Sequence, residues 1–135
     1  MKRIFGIFLF MGGMVTVTFA QKVAAAKVPA SVKTAFAKNH PGIKEDWEME
    51  KKNYEAEFTL NGKETSEVYT TTGFLIETEV SIKSSEFPAA VLAKLKGMKI
   101  AESAKITKAD GTVKYEAEVK GRDLLFDANG NRVKP

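Results

Sequence analysis

Three pairs of glutamates are the residues of this sequence whose types and spacing could do chemistry. They are Glu55 with Glu57, Glu77 with Glu79, and Glu116 with Glu118, and one residue separates the members of each pair. Paired carboxylates can act as general acid and base, but glycosidase pairs normally lie in a cleft with aromatic platforms. The outer strand faces predicted here offer mainly Lys and Thr. The pattern therefore favours a solvated sheet face of mixed charge, with a polar docking surface for a basic partner as the alternative.

Other catalytic or metal-binding patterns are missing from the sequence. His40 is the only histidine, and its His-Pro-Gly context is typical of a helix stop. The chain has no cysteine, which removes thiol nucleophiles, disulfides and thiolate metal sites. The segment DANGN at 127–131 is similar to a calcium loop, but its glycine is at the fourth position and a hairpin turn is favoured. We expect no enzyme activity, no cofactor and no bound metal.

The first 20 residues have the pattern of a secretory signal peptide. Lys2 and Arg3 precede an apolar stretch at 4–19, and Thr-Phe-Ala at 18–20 provides small residues for cleavage before Gln21. The stretch is short for a membrane span of about 20 residues, and no cysteine follows it for a lipid anchor. Cleavage lowers the net charge from +4 to +2, which is too weak to indicate nucleic acid. We expect a periplasmic or secreted protein that is not inserted in the membrane.

The elements that position the glutamates follow from apolar spacing and turn residues. Helical spacing follows a proline at 28–38 and again at 87–96. After each helix come short alternating segments, and Asn61-Gly62 and Asp110-Gly111 between them indicate hairpins. The expected fold is α+β, with two tandem repeats of one helix followed by an antiparallel β-meander and the helices packed on one face of the sheet or sheets. The expected repeats are 21–83, with about four strands, and 84–135, with about three.

The tetrapeptide YEAE occurs in both expected repeats, at 54–57 and 115–118. Because side chains alternate along a strand, Tyr54, Ala56 and Phe58 share one face and the glutamates take the other. We expect the tyrosine face to lie under the helix, and the same arrangement for the second copy. Trp47 is expected in the core, on the same strand face as Met49.

The motifs of the chain resemble those of the secreted PepSY-like proteins of Bacteroidetes, which are similar in architecture to beta-lactamase inhibitory protein. The motifs that carry the resemblance cover nearly all of the chain after residue 20: VPASV at 28–32, FAKNHPG at 36–42, WE at 47–48, YEAEF at 54–58, NGKE at 61–64, TG at 72–73, ETE at 77–79, FPAAV at 87–91, KITKADG at 105–111, YEAE at 115–118 and FDANG at 126–130. The resemblance implies two helix-plus-sheet units and an inhibitory or protein-binding role in the periplasm. The segment KGMKI at 96–100 lacks the Pro-Gly step of the first unit, so a shorter loop is expected there.

Two classes of function follow. The first is a non-catalytic module that binds another secreted or periplasmic protein, as an inhibitor of a hydrolase. The alternative is a carrier of a small ligand or ion, which a pocket lined by convergent carboxylates would favour. The residues expected to bind the partner are the glutamate pairs and the two hairpin turns: Glu55, Glu57, Glu77, Glu79, Glu116, Glu118, Asn61, Gly62, Asp110 and Gly111.

Overall fold

The computed structural model describes residues 21–135, so the signal peptide expected at 1–20 lies outside the described residues. The described chain forms one antiparallel sheet of eight strands, arranged in chain order from β1 to β8. The strands are β1 Gln21–Val23, β2 Asp46–Glu50, β3 Asn53–Leu60, β4 Lys63–Tyr69, β5 Leu75–Ser81, β6 Ile100–Lys108, β7 Val113–Val119 and β8 Arg122–Phe126.

Two short helices interrupt the succession of strands. Helix α1 spans Ala30–Asn39 and α2 spans Ala89–Lys94, and the residues immediately before them are Pro29 and Pro88. Proline suits this position because its fixed φ fits the start of a helix, where its missing N–H is no loss. Helix α1 ends before His40, whose backbone N–H donates to the Phe36 carbonyl over 2.8 Å. The expected helices and the stop at His40 are confirmed.

The expected architecture of two tandem helix-plus-meander repeats is wrong. Strand β5 pairs with β6 along Glu77↔Lys108, Glu79↔Ile106 and Ser81↔Ala104, which joins all strands into one sheet. Strand β1, which the sequence pattern did not predict, adds to β2 through Val23↔Trp47. An unpaired β5 edge would expose a row of backbone N–H and C=O groups, and pairing with β6 satisfies them. This pairing is not a hairpin, so no turn signal in the sequence marks it.

Both helices pack on the same face of the sheet, over separate apolar clusters. Under α1 the buried cluster consists of Val28, Val32, Phe36, Trp47, Ala56, Phe58 and Tyr69. Under α2 it consists of Phe87, Val91, Leu95, Ala117 and Phe126. Tyr54 and Tyr115 pack at the borders of their clusters. The expected strand faces and the core position of Trp47 are therefore confirmed.

Two loops contact the first helical turns of α1 and α2, and the contacting residue of each loop is a glycine. Gly73 has φ +86°, and a Cβ there would lie 2.6 Å from the Ser31 carbonyl oxygen of α1. Gly130 has φ +80°, and a Cβ there would lie 2.6 Å from the Ala90 carbonyl oxygen of α2. Only glycine fits such a position without strain, because it has no Cβ and tolerates positive φ. These contacts fix the height of each helix above the sheet.

Candidate binding face

The strand register brings the six expected glutamates onto one face of the sheet, opposite the helices. Glu57 on β3 pairs with Ser66 on β4, which pairs in turn with Glu79 on β5. Glu55 pairs in the same way with Val68, which pairs with Glu77. Glu116 on β7 pairs with Ala104 on β6, which pairs with Ser81 on β5. Because Ser81 is two residues from Glu79 on the same strand, Glu116 lies on the same face as Glu79. Residues opposite one another in antiparallel strands point to the same side of a sheet. The three glutamate pairs therefore lie on one continuous surface that extends from β3 to β7.

We call this surface the acidic face. Among the described residues it carries twelve acidic side chains: Asp46, Glu48, Glu50, Glu55, Glu57, Glu64, Glu77, Glu79, Glu102, Glu116, Glu118 and Asp123. The strand lysines of the same face are Lys22, Lys108 and Lys114. Most of the 17 acidic residues of the chain are therefore on one side of the sheet, away from both helices.

The expectation that this face is solvated is wrong for its central carboxylates. Glu55 is 1% exposed, and Glu48 and Glu79 are each 4% exposed. Apolar side chains lie between them on the same face and are also buried: Val68, Ala104, Ile106 and Leu125. Carboxylates are almost never this buried without a partner, because removing a charge from water is costly. The centre of the face is therefore a poorly solvated acidic surface.

The buried carboxylates are incompletely satisfied. Within the part of the chain that the structure describes, four carboxylate oxygens are buried without a hydrogen-bond partner: Oε2 of Glu48, Oε1 of Glu55, Oε1 of Glu57 and Oε2 of Glu79. Buried polar groups in folded proteins are normally paired, so each exception needs an explanation. Here the exceptions cluster on one face.

Burial also changes the acidity of these groups. Desolvation, reinforced by neighbouring glutamates, raises the pKa of Glu55 to about 8. Desolvation and the nearby carboxylates raise the pKa of Glu57 to about 7 and that of Glu116 to about 7. The pKa of Glu79 is raised well above its usual value for the same reasons. Near neutral pH the centre of the face therefore retains protons that free glutamates would have lost.

The two expected hairpin turns do not join the glutamates in one surface. Asn61-Gly62 connects β3 to β4, near the end of the sheet where β5 finishes at Ser81. Asp110-Gly111 connects β6 to β7 at the opposite end, where the Ala109 N–H donates to the Ile76 carbonyl over 3.0 Å. All four turn residues are exposed. A partner centred on the acidic face would reach each turn only at its margin.

A second polar cluster, which the sequence analysis missed, lies under α1. His40 Nε2 is 2.9 Å from Glu67 Oε1, and the Tyr69 hydroxyl donates to Glu67 Oε2. The His40 ring packs on Phe36 and Phe58, with centroids 5.2 and 4.6 Å away. The strand period, which places Glu67 with Tyr69 on the helix side, was the signal that could have found it. These groups satisfy one another between α1 and the sheet.

The turn at 127–131 has the hydrogen bonds of a tight turn. Asp127 Oδ1 accepts from the backbone N–H groups of Asn129 and Asn131, over 2.9 and 3.0 Å. The Asn131 side-chain amide also donates to Asp127 Oδ2 over 3.1 Å. The acidic side chain is thus engaged by its own turn, as in other Asx turns. The turn interpretation is confirmed.

Cavities and metal geometry give little support to a small-ligand site. Between residues 21 and 135 no group of three or more His, Asp or Glu side chains is arranged to hold a metal ion. A hollow of about 180 Å³ opens where β4, β5 and β6 meet, with Glu64, Glu102 and Ser103 in its lining. The buried glutamates of the acidic face do not line it. Neither described helix is long or apolar enough to cross a membrane.

Comparison with known proteins places this fold beside solved structures from Bacteroides. No family profile matches the sequence, and no curated protein matches it. A protein from Bacteroides eggerthii, provisionally described as periplasmic, is 21% identical with a TM-score of 0.73, covering 79% of this chain and 86% of its own. A DUF2874 family protein from Bacteroides uniformis is 19% identical with a TM-score of 0.72, covering 78% and 86%. A BLIP-like protein from Bacteroides fragilis is 19% identical with a TM-score of 0.65, covering 78% and 83%.

These likenesses establish the fold. They agree with the BLIP-like architecture and the Bacteroides relatives indicated by the sequence motifs, whereas none of the three descriptions carries the PepSY label. None of the three descriptions names an enzyme either. Fold alone does not define function, so function must be argued from the acidic face.

Proposed function

We propose that this protein is a non-catalytic periplasmic module that binds another secreted or periplasmic protein through its acidic face. The observation that carries the proposal is the concentration of carboxylates on the side of the sheet opposite the helices, with only a few lysines among them. A surface of one sign attracts a partner of the opposite sign and raises the rate of association. A basic protein surface is the occupant that fits.

A broad sheet face suits a protein partner better than a small ligand. A standard protein interface buries about 800 Å² on each side, whereas small ligands need an enclosing pocket. The acidic face spans strands from both ends of the sheet, and the hollow beside Glu64 and Glu102 does not enclose its centre. We therefore prefer protein binding to the small-ligand or ion carrier.

Inhibition of a secreted hydrolase is the specific form of binding that we propose. It is supported by the likeness in fold to a protein described as BLIP-like. The neighbour described provisionally as periplasmic and the signal-peptide pattern support the location. We further propose cleavage after Ala20, so that sequencing the N-terminus of exported protein should give Gln21 as the first residue.

The test begins with cross-linking in a periplasmic extract and continues with the purified partner. Charge reversal by Glu57→Lys with Glu118→Lys should slow association at least about tenfold and leave dissociation nearly unchanged. The control is Thr107→Lys, which adds positive charge at an exposed position on the helix side of the sheet. A partner whose association ignores both salt and the charge reversal would contradict the proposed face.

A further inference from the structure

Glu55 and Glu79 are the most unusual side chains of the acidic face. Each is buried, at 1% and 4% exposure, and each has one carboxylate oxygen without a hydrogen-bond partner within residues 21–135. They lie on β3 and β5, on either side of β4, whose Ser66 pairs with Glu79 and hydrogen-bonds to Glu55. Two unsatisfied acceptors therefore flank one serine near the middle of the sheet.

The charged groups that most affect this pair are all acidic. Glu55 faces Glu48 and Glu50 on β2 and Glu57 on its own strand. Glu79 interacts with four acidic residues, which lie on β3, β5, β7 and β8: Glu55, Glu77, Glu116 and Asp123. From β6 the neighbour in register with Glu79 is the apolar Ile106, and Ala104 lies opposite Ser81 on the same face.

The lysines of the acidic face interact most with carboxylates other than Glu55 and Glu79. Lys22 acts on Glu48 and Glu57 at the β1 edge. Lys108 and Lys114 act on Glu77, toward the other end of β5. A positive charge beside Glu55 and Glu79 would therefore relieve repulsion that these three lysines do not offset.

We propose that Glu55 and Glu79 receive one cationic side chain of the protein partner, and that the two carboxyls release their protons to solvent as that side chain enters. The proposal rests on the proposed function and names the chemistry at the centre of its interface. Each carboxyl O–H breaks to give a carboxylate and a solvated proton, while the entering guanidinium or ammonium keeps its own protons.

Arginine fits the site better than lysine. Its planar guanidinium has five N–H donors and is more weakly hydrated than an ammonium, so it tolerates the poorly solvated surroundings made by Val68 and Ile106. Charge-assisted hydrogen bonds to the free oxygens of Glu55 and Glu79 would supply partners for both. A central, desolvated arginine is also a common anchor of protein interfaces.

The experiment titrates the full chain after signal removal with an acetylated and amidated Gly-Gly-Arg-Gly-Gly peptide, following the carboxyl carbons of the glutamates by NMR. The association constant should rise between about pH 6 and about pH 8, by up to about tenfold per pH unit for each proton released. The same peptide with neutral citrulline in place of arginine should show no such rise.

Variants locate the effect. Glu55→Gln and Glu79→Gln should each weaken arginine-peptide binding at about pH 8 by at least about tenfold and flatten its pH dependence. Glu86→Gln, which changes a carboxylate outside the acidic face that is paired with Lys63, is the control and should leave the pH dependence intact. Peptide binding is measured only for variants whose amide NMR spectrum matches that of the parent protein. This condition separates lost binding from lost folding.

The outcomes separate the two proposals. Arginine-peptide binding that is independent of pH and unaffected by both Gln variants would overturn the proposed arginine site at Glu55 and Glu79. The proposal that the acidic face binds the partner would still stand if association with the partner responds to Glu57→Lys and Glu118→Lys. Absence of arginine-peptide binding at every pH would also overturn the pair. Equal proton-linked binding of free spermidine would overturn the protein source of the cation and favour a small-cation carrier.

Discussion

At the scale of single residues, the buried carboxylates of the acidic face destabilise the folded chain. Glu55 is 1% exposed, and its neighbours on β2 and β3 are also acidic. A buried carboxylate without a full set of partners destabilises the fold, since water would solvate it better. Residues that oppose folding in this way are often retained for binding.

Replacing Glu55 by glutamine should stabilise the protein at high pH. Above the Glu55 pKa of about 8 the parent must bury an ionised carboxylate, whereas the amide of Glu55→Gln is neutral at every pH. We expect the free energy of unfolding to increase by about 1 to 3 kcal/mol at about pH 9. Near pH 5 the carboxyl is protonated and similar in shape, so the variants should differ little. Urea denaturation at both pH values measures the effect, and lower stability of Glu55→Gln at high pH would contradict it.

The second residue-scale prediction concerns the glycines that touch the helices. Gly73→Ala and Gly130→Ala should each destabilise the protein by about 2 to 4 kcal/mol, because positive φ and a Cβ close to a backbone oxygen both oppose alanine. Gly62→Ala and Gly111→Ala are matched controls with positive φ but open space around the Cβ. They should cost only about 1 to 2 kcal/mol. Equal losses in all four variants by thermal denaturation would show that the helix contacts contribute nothing.

At the scale of the elements, each helix depends on its own aromatic cluster. Phe58 on β3 packs edge-on against Phe36 of α1, with ring centroids 5.0 Å apart. Phe126 on β8 belongs to the separate cluster under α2, and Arg132 lies over its ring at 5.3 Å. One sheet thus supports two cores, and damage to one core should open its own helix first.

Truncation of these aromatic residues tests that division. Phe58→Ala and Phe126→Ala should each cost about 3 to 5 kcal/mol, since both side chains are buried. Hydrogen exchange should accelerate most in α1 for Phe58→Ala and in α2 for Phe126→Ala. Thr59→Ala, at an exposed neighbouring position, is the control and should change stability by less than about 0.5 kcal/mol. Uniform acceleration over both helices would mean that the clusters act as one core.

At the scale of the whole molecule, the sheet gathers carboxylates whose pKa values are raised on folding. Glu55, Glu57 and Glu116 have pKa values of about 8, 7 and 7 in the folded chain, compared with the usual 4.5. Below about pH 4.5 both folded and unfolded chains hold these protons, so the groups do not oppose folding there. As pH rises, the unfolded chain ionises first, which stabilises it relative to the folded chain.

Stability should therefore fall between about pH 5 and about pH 8 and then level off. The fall should amount to at least a few kcal/mol, because each unit of pKa difference corresponds to about 1.4 kcal/mol and the pKa of each of the three groups is raised. Salt should restore part of the loss at about pH 8 by screening the repulsion between carboxylates. Thermal denaturation across this range measures the trend. A variant with Glu55→Gln and Glu116→Gln should show a flatter profile, and a stability that rises over the same range would contradict the explanation.

Sequence patterns alone determined the local features of this protein. Prolines at 29 and 88 and apolar spacing marked both helices, and Asn61-Gly62 and Asp110-Gly111 marked the hairpins that join β3 to β4 and β6 to β7. Alternation along YEAE placed Tyr54 under α1 and Glu55 on the opposite face. These features depend on backbone preferences and side-chain periods within a few residues, which is why a single sequence reveals them.

Only the tertiary structure decided how these pieces combine. The β5–β6 pairing joins the two expected units into one sheet. No local sequence pattern predicts this pairing, because helix α2 separates the two strands in the chain. The same pairing set Glu79 near Glu116 and Glu55, and so made buried, protonated carboxyls out of residues that the sequence placed in solvent. Burial and pKa depend on neighbours distant in the chain, because desolvation and charge repulsion act through space. The sequence therefore specified which residues share a face, and the assembled sheet determined how deeply the carboxylates of that face are buried.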